Sequence, residues 1–245
     1  MKDKEEDKQL FRFKQFSLYH DSSSMKIGVD GVLIGAWGNV KGCRGLDIGC
    51  GCGLIGLMAA QRNRKCIIDM IDIHAGSVSE ARLNSTRSKW SERTNVYQID
   101  ILQFVSDKNN FENYDFIISN PPFYHSGILS PDTPREKARH EGSLSPSTLI
   151  EYSRRLLKHG GKLSMITTAD FLDKVHQDDI FKVTEFCYVA DKPGKDPKRV
   201  MITMEKRLYG TQAPEPVGDM LYLRDESGEY SEKYRALTRE FYLKF

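Results

Sequence analysis

Long apolar runs are missing from this 245-residue chain. Stretches such as 31–37 fall far short of the roughly 20 residues that cross a bilayer, so no membrane-spanning helix is expected. The first eight residues are a charged run without the apolar centre of a secretory signal. Cysteine is also scarce. Five residues, Cys43, Cys50, Cys52, Cys66 and Cys187, make an odd set that fits reduced thiols in a cytoplasmic protein better than a disulfide framework. Cys50 and Cys52 flank a single residue inside a glycine loop, with no Cys-x-x-Cys pair and no histidine at ligand spacing, so no metal site is expected. An excess of one charge is absent as well: 36 Lys plus Arg against 34 Asp plus Glu leave a formal net charge of +2. That excludes binding to a polyanion through a global field, and any such partner must be held by a local patch. A hydrophobic fraction of 39% and a mean hydropathy of −0.51 describe an ordinary globule, long enough for one large core.

Short apolar runs alternate with amphipathic stretches, the pattern of a mostly parallel sheet covered on both faces. Strands are predicted at 45–48, 66–73, 95–99, 114–119, 161–167, 183–189 and 200–205, with helices at 54–61, 77–88 and 147–158. Ser145-Pro146 is a good N-cap and first-turn pair for the last helix, and Gly160-Gly161 is predicted to stop it. Only Pro-Gly-Lys-Asp-Pro at 193–197 lies between the last two strands, too short for a crossover helix, so they pair antiparallel. The fold class is therefore α/β, with seven strands, mostly parallel. One domain spans 1–245: residues 1–9 frayed, 10–40 an N-terminal extension, 41–210 the core and 211–245 a C-terminal extension beginning as a Pro-containing linker. Residues 121–144 lack periodicity, and an irregular stretch of that length inside a domain is usually functional.

Leu46-Asp47-Ile48-Gly49-Cys50-Gly51-Cys52-Gly53 falls between a predicted strand and a predicted helix. Glycines there allow a sharp turn and close approach of a ligand to the backbone. Gly51, Gly53 and Gly56 with Asp72 also satisfy the dinucleotide pattern, which keeps an NAD-dependent oxidoreductase open. Asp47, however, precedes the array; a negative charge there repels a pyrophosphate and suits a ligand carrying an ammonium and a sulfonium, as S-adenosylmethionine does. Asp72 ends the second strand, where a carboxylate can accept both ribose hydroxyls. Asp100 ends the third, placed to accept from an adenine amino group, with Ile101 beside it. Three acids at successive strand ends share the carboxyl edge of one sheet, where open α/β folds bind ligands.

Asn120-Pro121-Pro122-Phe123 follows the fourth strand. A ring-conjugated exocyclic amine is a poor nucleophile because its lone pair is delocalised. An Asn oxygen and the next backbone carbonyl can each accept one of its N–H groups, turning the lone pair toward a methyl donor. The prolines hold that carbonyl rigid, and Phe123 can stack on the flat ring, a contact worth about 1–3 kcal/mol per base. Asn120 so placed also borders the cofactor.

The glycine loop, Asp72, Asp100 and Asn-Pro-Pro-Phe resemble the class I S-adenosylmethionine-dependent amino methyltransferases, a Rossmann-like fold. The segment from His20-Asp21 through Met25-Lys26-Ile27-Gly28-Val29-Asp30-Gly31 to Trp37 resembles the bacterial tRNA(Val) adenine-37 N6-methyltransferase family. Arg139-His140-Glu141, Ser143-Leu144-Ser145 and the ending from Tyr230 to Leu243 do the same. The resemblance implies methylation of N6 of the adenine 3′ of the anticodon, a seven-stranded sheet with the last strand antiparallel, and an N-terminal cover over the cofactor. It also implies Lys26 and Asp30 near the methionine end. His74 departs from the acidic or polar residue many relatives carry after the ribose acid.

Arg135, Lys137, Arg139 and His140 directly follow the catalytic loop as a rim for RNA, and phosphate contacts of this kind make binding salt-dependent. Lys192, Lys195, Lys198 and Arg199 add to it from the hairpin region. A single-stranded anticodon loop makes unstacking of the base inexpensive. The expected partner is tRNA, bound by a monomer. Methylation of rRNA guanine N2, DNA adenine or protein glutamine, and a non-catalytic RNA-binding role, remain alternatives.

Overall fold

The computed structural model describes residues 10–23, 26–122, 144–175, 180–211 and 215–245. A short hairpin pairs β1 (Leu10–Arg12) antiparallel with β2 (Ser17–Tyr19), and α1 (Val29–Trp37) follows. The core runs β3 (Arg44–Ile48), α2 (Leu54–Arg62), β4 (Ile67–Asp72), α3 (Ala75–Arg87), β5 (Thr94–Gln98), α4 (Ile101–Ser106) and β6 (Tyr114–Ser119). It continues with α5 (Pro146–Leu156), β7 (Leu157–Thr168), α6 (Phe171–Lys174), β8 (Phe181–Ala190) and β9 (Arg199–Lys206), and ends in β10 (Val217–Tyr222) and α7 (Glu232–Thr238).

Alternation along the strands builds the layers. In β6, Phe116 and Ile118 enter one apolar cluster with Val32, Leu33, Leu57 and Met58. Their neighbour Ile117 enters a second cluster with Leu46, Ile48, Leu149 and Leu163. A strand buried on both faces must be apolar at both parities, which is why Phe116-Ile117-Ile118 at the centre of β6 are apolar in succession. The hairpin is fastened to the chain's other end, with Lys14 N–H donating to the Phe241 carbonyl and its ammonium to the carbonyls of Arg239 and Phe245.

The sheet has eight strands in the order β10-β8-β9-β7-β6-β3-β4-β5, one more than expected. The extra strand, β10, lies within what reads in the sequence as a Pro-containing linker, and it pairs parallel to β8 at the sheet's edge. Its exposed Val217, Gly218 and Asp219 carry little β signal, and the backbone ladder to β8 supplies the order instead. β9 runs antiparallel to both neighbours, as the short 193–197 connection requires.

The glycine pair at 160–161 does not stop α5, which ends at Leu156, directly before β7. Pairing moves from Tyr114↔Leu157 to Phe116↔Lys162, so β7 carries extra residues in a bulge that Gly160 turns at φ +78°. Five parallel strands, β3 to β7, end on one edge; the 191–198 connection emerges there too, because Thr168 pairs with Arg199.

Candidate active site

The loop after β3 is shaped by three left-handed residues, Gly49, Gly51 and Gly53, at φ +71°, +55° and +86°. A side chain at any of them would be strained. Gly49 and Cys50 both donate N–H to the Ile71 carbonyl at 2.9 and 3.0 Å, and Gly51 donates to Asp72 Oδ2 at 2.9 Å. The loop is thereby tied to the end of β4. At Gly51 the direction a Cβ would take meets nothing within 4 Å, so the loop's backbone is approachable there.

Asp47 is 1% exposed. Its Oδ2 accepts from Gly56 N–H at 2.8 Å, and its buried Oδ1 has no partner among the described residues. Burial pushes its carboxyl up to about 7, opposed by the Gly56 N–H and reinforced by the charge of Asp72. Asp72 accepts from Gly51 through Oδ2 and from His74 N–H through Oδ1 at 2.8 Å. These backbone donors fix the carboxylate's plane, and each oxygen keeps a lone pair for a further donor. Asp100 caps α4, with Oδ1 accepting from Leu102 N–H at 2.7 Å, and half-buried Ile101 opens that helix.

β6 ends beside the loop. The Ser119 hydroxyl, fully buried, donates to the Ile48 carbonyl at 2.7 Å and ties the two strand ends together. Asn120 follows, and its Oδ1 is buried without a partner among the described residues. Pro121 is buried and Pro122 half-buried. Phe123, Arg135, Lys137, Arg139 and His140 lie outside the described residues.

The fold thus brings Asp47, Gly49, Gly51, Gly53, Asp72, Asp100, Ile101 and Asn120 to one edge of the sheet. Lys26 and Asp30 have partners of their own. The Lys26 ammonium bonds the His20 and Asp21 carbonyls, both at 3.0 Å, and the Asp21 carboxylate at 3.3 Å. Asp30 pairs with Arg199 at the start of β9. Cys50 and Cys52 are buried within the loop, which raises both thiols, Cys52 to about 12. No group of three metal-ligating side chains and no helix long and apolar enough to cross a membrane occurs among the described residues. The residues missed from sequence include Leu144, whose Cδ2 lies 3.7 Å from where a Cβ on Gly49 would stand. Glu80 and Asn84 on the buried face of α3 were also missed. Nothing in the sequence marks that face as buried, since the residues that cover it, 19–23, are placed only by the fold.

A family model described as the methyltransferase small domain matches residues 32–191. A tRNA1(Val) (adenine(37)-N6)-methyltransferase of Parabacteroides distasonis is 37% identical over 96% of this chain and 98% of its own. That of Yersinia enterocolitica is 36% identical over 96% and 93%. Among solved structures, a predicted O-methyltransferase from Agrobacterium tumefaciens superposes with a TM-score of 0.65 at 19% identity, covering 86% of this chain and 96% of that one. Such enzymes take S-adenosylmethionine, and the residues here fit it. Asp47 and Asn120 each hold a buried oxygen without a donor among the described residues, Asp72 is a fixed acceptor, and the glycine loop leaves its backbone open at Gly51. The chain is a class I S-adenosylmethionine-dependent methyltransferase and belongs to the tRNA1(Val) (adenine(37)-N6)-methyltransferase family.

Proposed function

We propose that the protein methylates the exocyclic N6 of adenine 37 in the anticodon loop of a valine tRNA, acting as a cytoplasmic monomer. The observation that carries this reading is the Asn120 Oδ1, a buried acceptor without a donor among the described residues, at the strand end beside the cofactor loop. An amine N–H is a donor it can take. S-adenosylmethionine supplies the methyl group on an already activated sulfonium, so no strong general base is needed. Asn120 and the Pro121 carbonyl orient the amine, and Phe123 stacks on the base. Glycines 49, 51 and 53 with Asp72 hold the cofactor, Asp47 favours its cationic end, and Asp100 with Ile101 borders its adenine. Arg135, Lys137, Arg139 and His140 hold the RNA, joined by Lys192, Lys195 and Lys198 from the connection at the same edge.

The reading is tested by incubating total RNA from a strain lacking the gene with the protein and labelled S-adenosylmethionine, then mapping the label. Label at adenine 37 of a valine tRNA is expected. Label on rRNA guanine would transfer the assignment to that substrate, as would label on DNA adenine or protein glutamine in parallel reactions. Light scattering at assay concentration checks the monomer.

A further inference from the structure

Asn84 stands on α3 with 1% of its surface exposed, and all the hydrogen-bonding directions of its amide that the geometry uses lead out of its own helix. Its Oδ1 accepts from Tyr19 N–H at 2.9 Å, while its Nδ2 donates to the Tyr19 carbonyl at 2.9 Å and to the Cys52 carbonyl at 2.8 Å. One side chain therefore grips both backbone groups of a residue in β2 and, with its remaining N–H, the cofactor loop. Cys52 lies between Gly51 and Gly53, outside the α2 ladder that begins with Leu57 N–H to the Gly53 carbonyl. Asn84 thus provides its carbonyl with a partner that the helix does not.

The same helix holds the cover at two further points. Glu80, 7% exposed, accepts from Ser22 N–H and from the Ser23 hydroxyl at 2.5 and 2.6 Å. The Ser22 carbonyl lies 2.6 Å from where a Cβ on Gly76 would stand, so only glycine lets residues 19–23 lie flat across the start of α3. That start follows Asp72 by a few residues. The cofactor loop and the first turn of α2 are consequently pinned by three polar side chains: Asp72 through Gly51 and Asn84 through Cys52 in the loop, and Asp47 through Gly56 in the helix. Asp47 and Asp72 are the acids placed for the cofactor. Asn84 is fastened to the N-terminal cover.

We propose that Asn84 is a positioning residue that couples docking of residues 10–23 to the shape of the glycine loop, so that cover docking and cofactor binding strengthen each other. The proposal rests on S-adenosylmethionine being the cofactor. Coupling of this kind is reciprocal: whatever factor the docked cover adds to cofactor affinity, the cofactor adds to cover docking.

The test uses the full-length protein, wild type, Asn84→Ala and the milder Ser23→Ala, which loosens the cover without touching the loop. Hydrogen exchange at residues 10–23 is followed with and without S-adenosylmethionine, alongside calorimetry and steady-state kinetics. In the wild type the cofactor is expected to slow exchange at 10–23. In Asn84→Ala that response disappears, cofactor Kd and KM rise about tenfold, within the usual range of coupling factors, and kcat at saturating cofactor stays within about twofold. Ser23→Ala is expected to speed exchange at 10–23 and raise Kd about threefold. A folded Asn84→Ala with wild-type cofactor affinity overturns the coupling, as does a wild-type cover whose exchange ignores the cofactor. Should Asn84→Ala fail to fold, an unchanged Kd in Ser23→Ala overturns it instead. A wild type that binds no S-adenosylmethionine at all would sink the cofactor assignment, a distinct result.

Discussion

A buried acceptor without a donor costs on the order of 1–3 kcal/mol, and Asn120 Oδ1 is buried without one among the described residues. Asn120→Ala is therefore expected to leave thermal stability unchanged or slightly raised, with cofactor affinity within about twofold. On the proposed mechanism turnover should fall about a hundredfold, since the hydrogen bond that positions the amine is lost. Differential scanning calorimetry and single-turnover kinetics check the two halves, and a stable variant with wild-type turnover would remove Asn120 from the mechanism. Asp47 gives a pH signature. Its carboxyl is raised from 3.8 to about 7 by burial, so the folded state binds the proton more tightly than the unfolded one. The associated stability is present below the unfolded value near pH 4 and is lost as pH rises through 7. Asp47→Asn keeps an acceptor for Gly56 N–H but cannot ionise, so denaturant unfolding should show it gaining on the wild type between pH 5 and pH 8. The placement of Asp47, Asp72 and Asn120 at the strand ends was legible because motif spacing marks it. Asn84 and Glu80 were not, because a polar residue on a helix reads as solvent-facing until the segment that covers it is placed.

Elements were legible where burial on both faces or a clear cap imposed them. β3, β4 and β6 follow from their apolar runs, and α5 from Ser145, whose hydroxyl accepts from Thr148 N–H. β10 escaped because an edge strand needs little intrinsic preference once β8 offers a ladder. α1 also went unread as a helix: its residues 31–36 are all buried, which erases the polar face by which an amphipathic helix is recognised. The C-terminal elements yield their own prediction. Ser231 caps α7 by accepting from Tyr234 N–H at 3.1 Å, and its hydroxyl donates to the Tyr222 carbonyl at the end of β10 at 2.5 Å. Ser231→Ala severs both, and loss of such a cap costs about 1–2 kcal/mol. Denaturant unfolding should show that loss with activity per folded molecule retained. An equal loss in Ser227→Ala, whose hydroxyl bonds only within its own turn, would mean the cap is not what fastens α7 to the sheet.

Across the whole molecule, a net charge of +2 leaves exposed lysines on both ends of the sheet. The exposed Lys192, Lys195 and Lys198 emerge on the edge where β3 to β7 end, whereas the exposed Lys41 and Lys65 precede β3 and β4 on the opposite edge. If the RNA approaches the strand ends, only the first group neutralises phosphate. Each single-strand phosphate contact contributes roughly 0.7 to the slope of log affinity against log salt. Replacing all three lysines of the connection by Glu should therefore weaken tRNA binding and flatten that slope by about 2, while Lys41→Glu with Lys65→Glu should leave both unchanged. Filter binding across a salt series separates the two sets. Equal losses from either edge would show that the RNA responds to overall charge and not to the face on which the glycine loop and Asn120 stand.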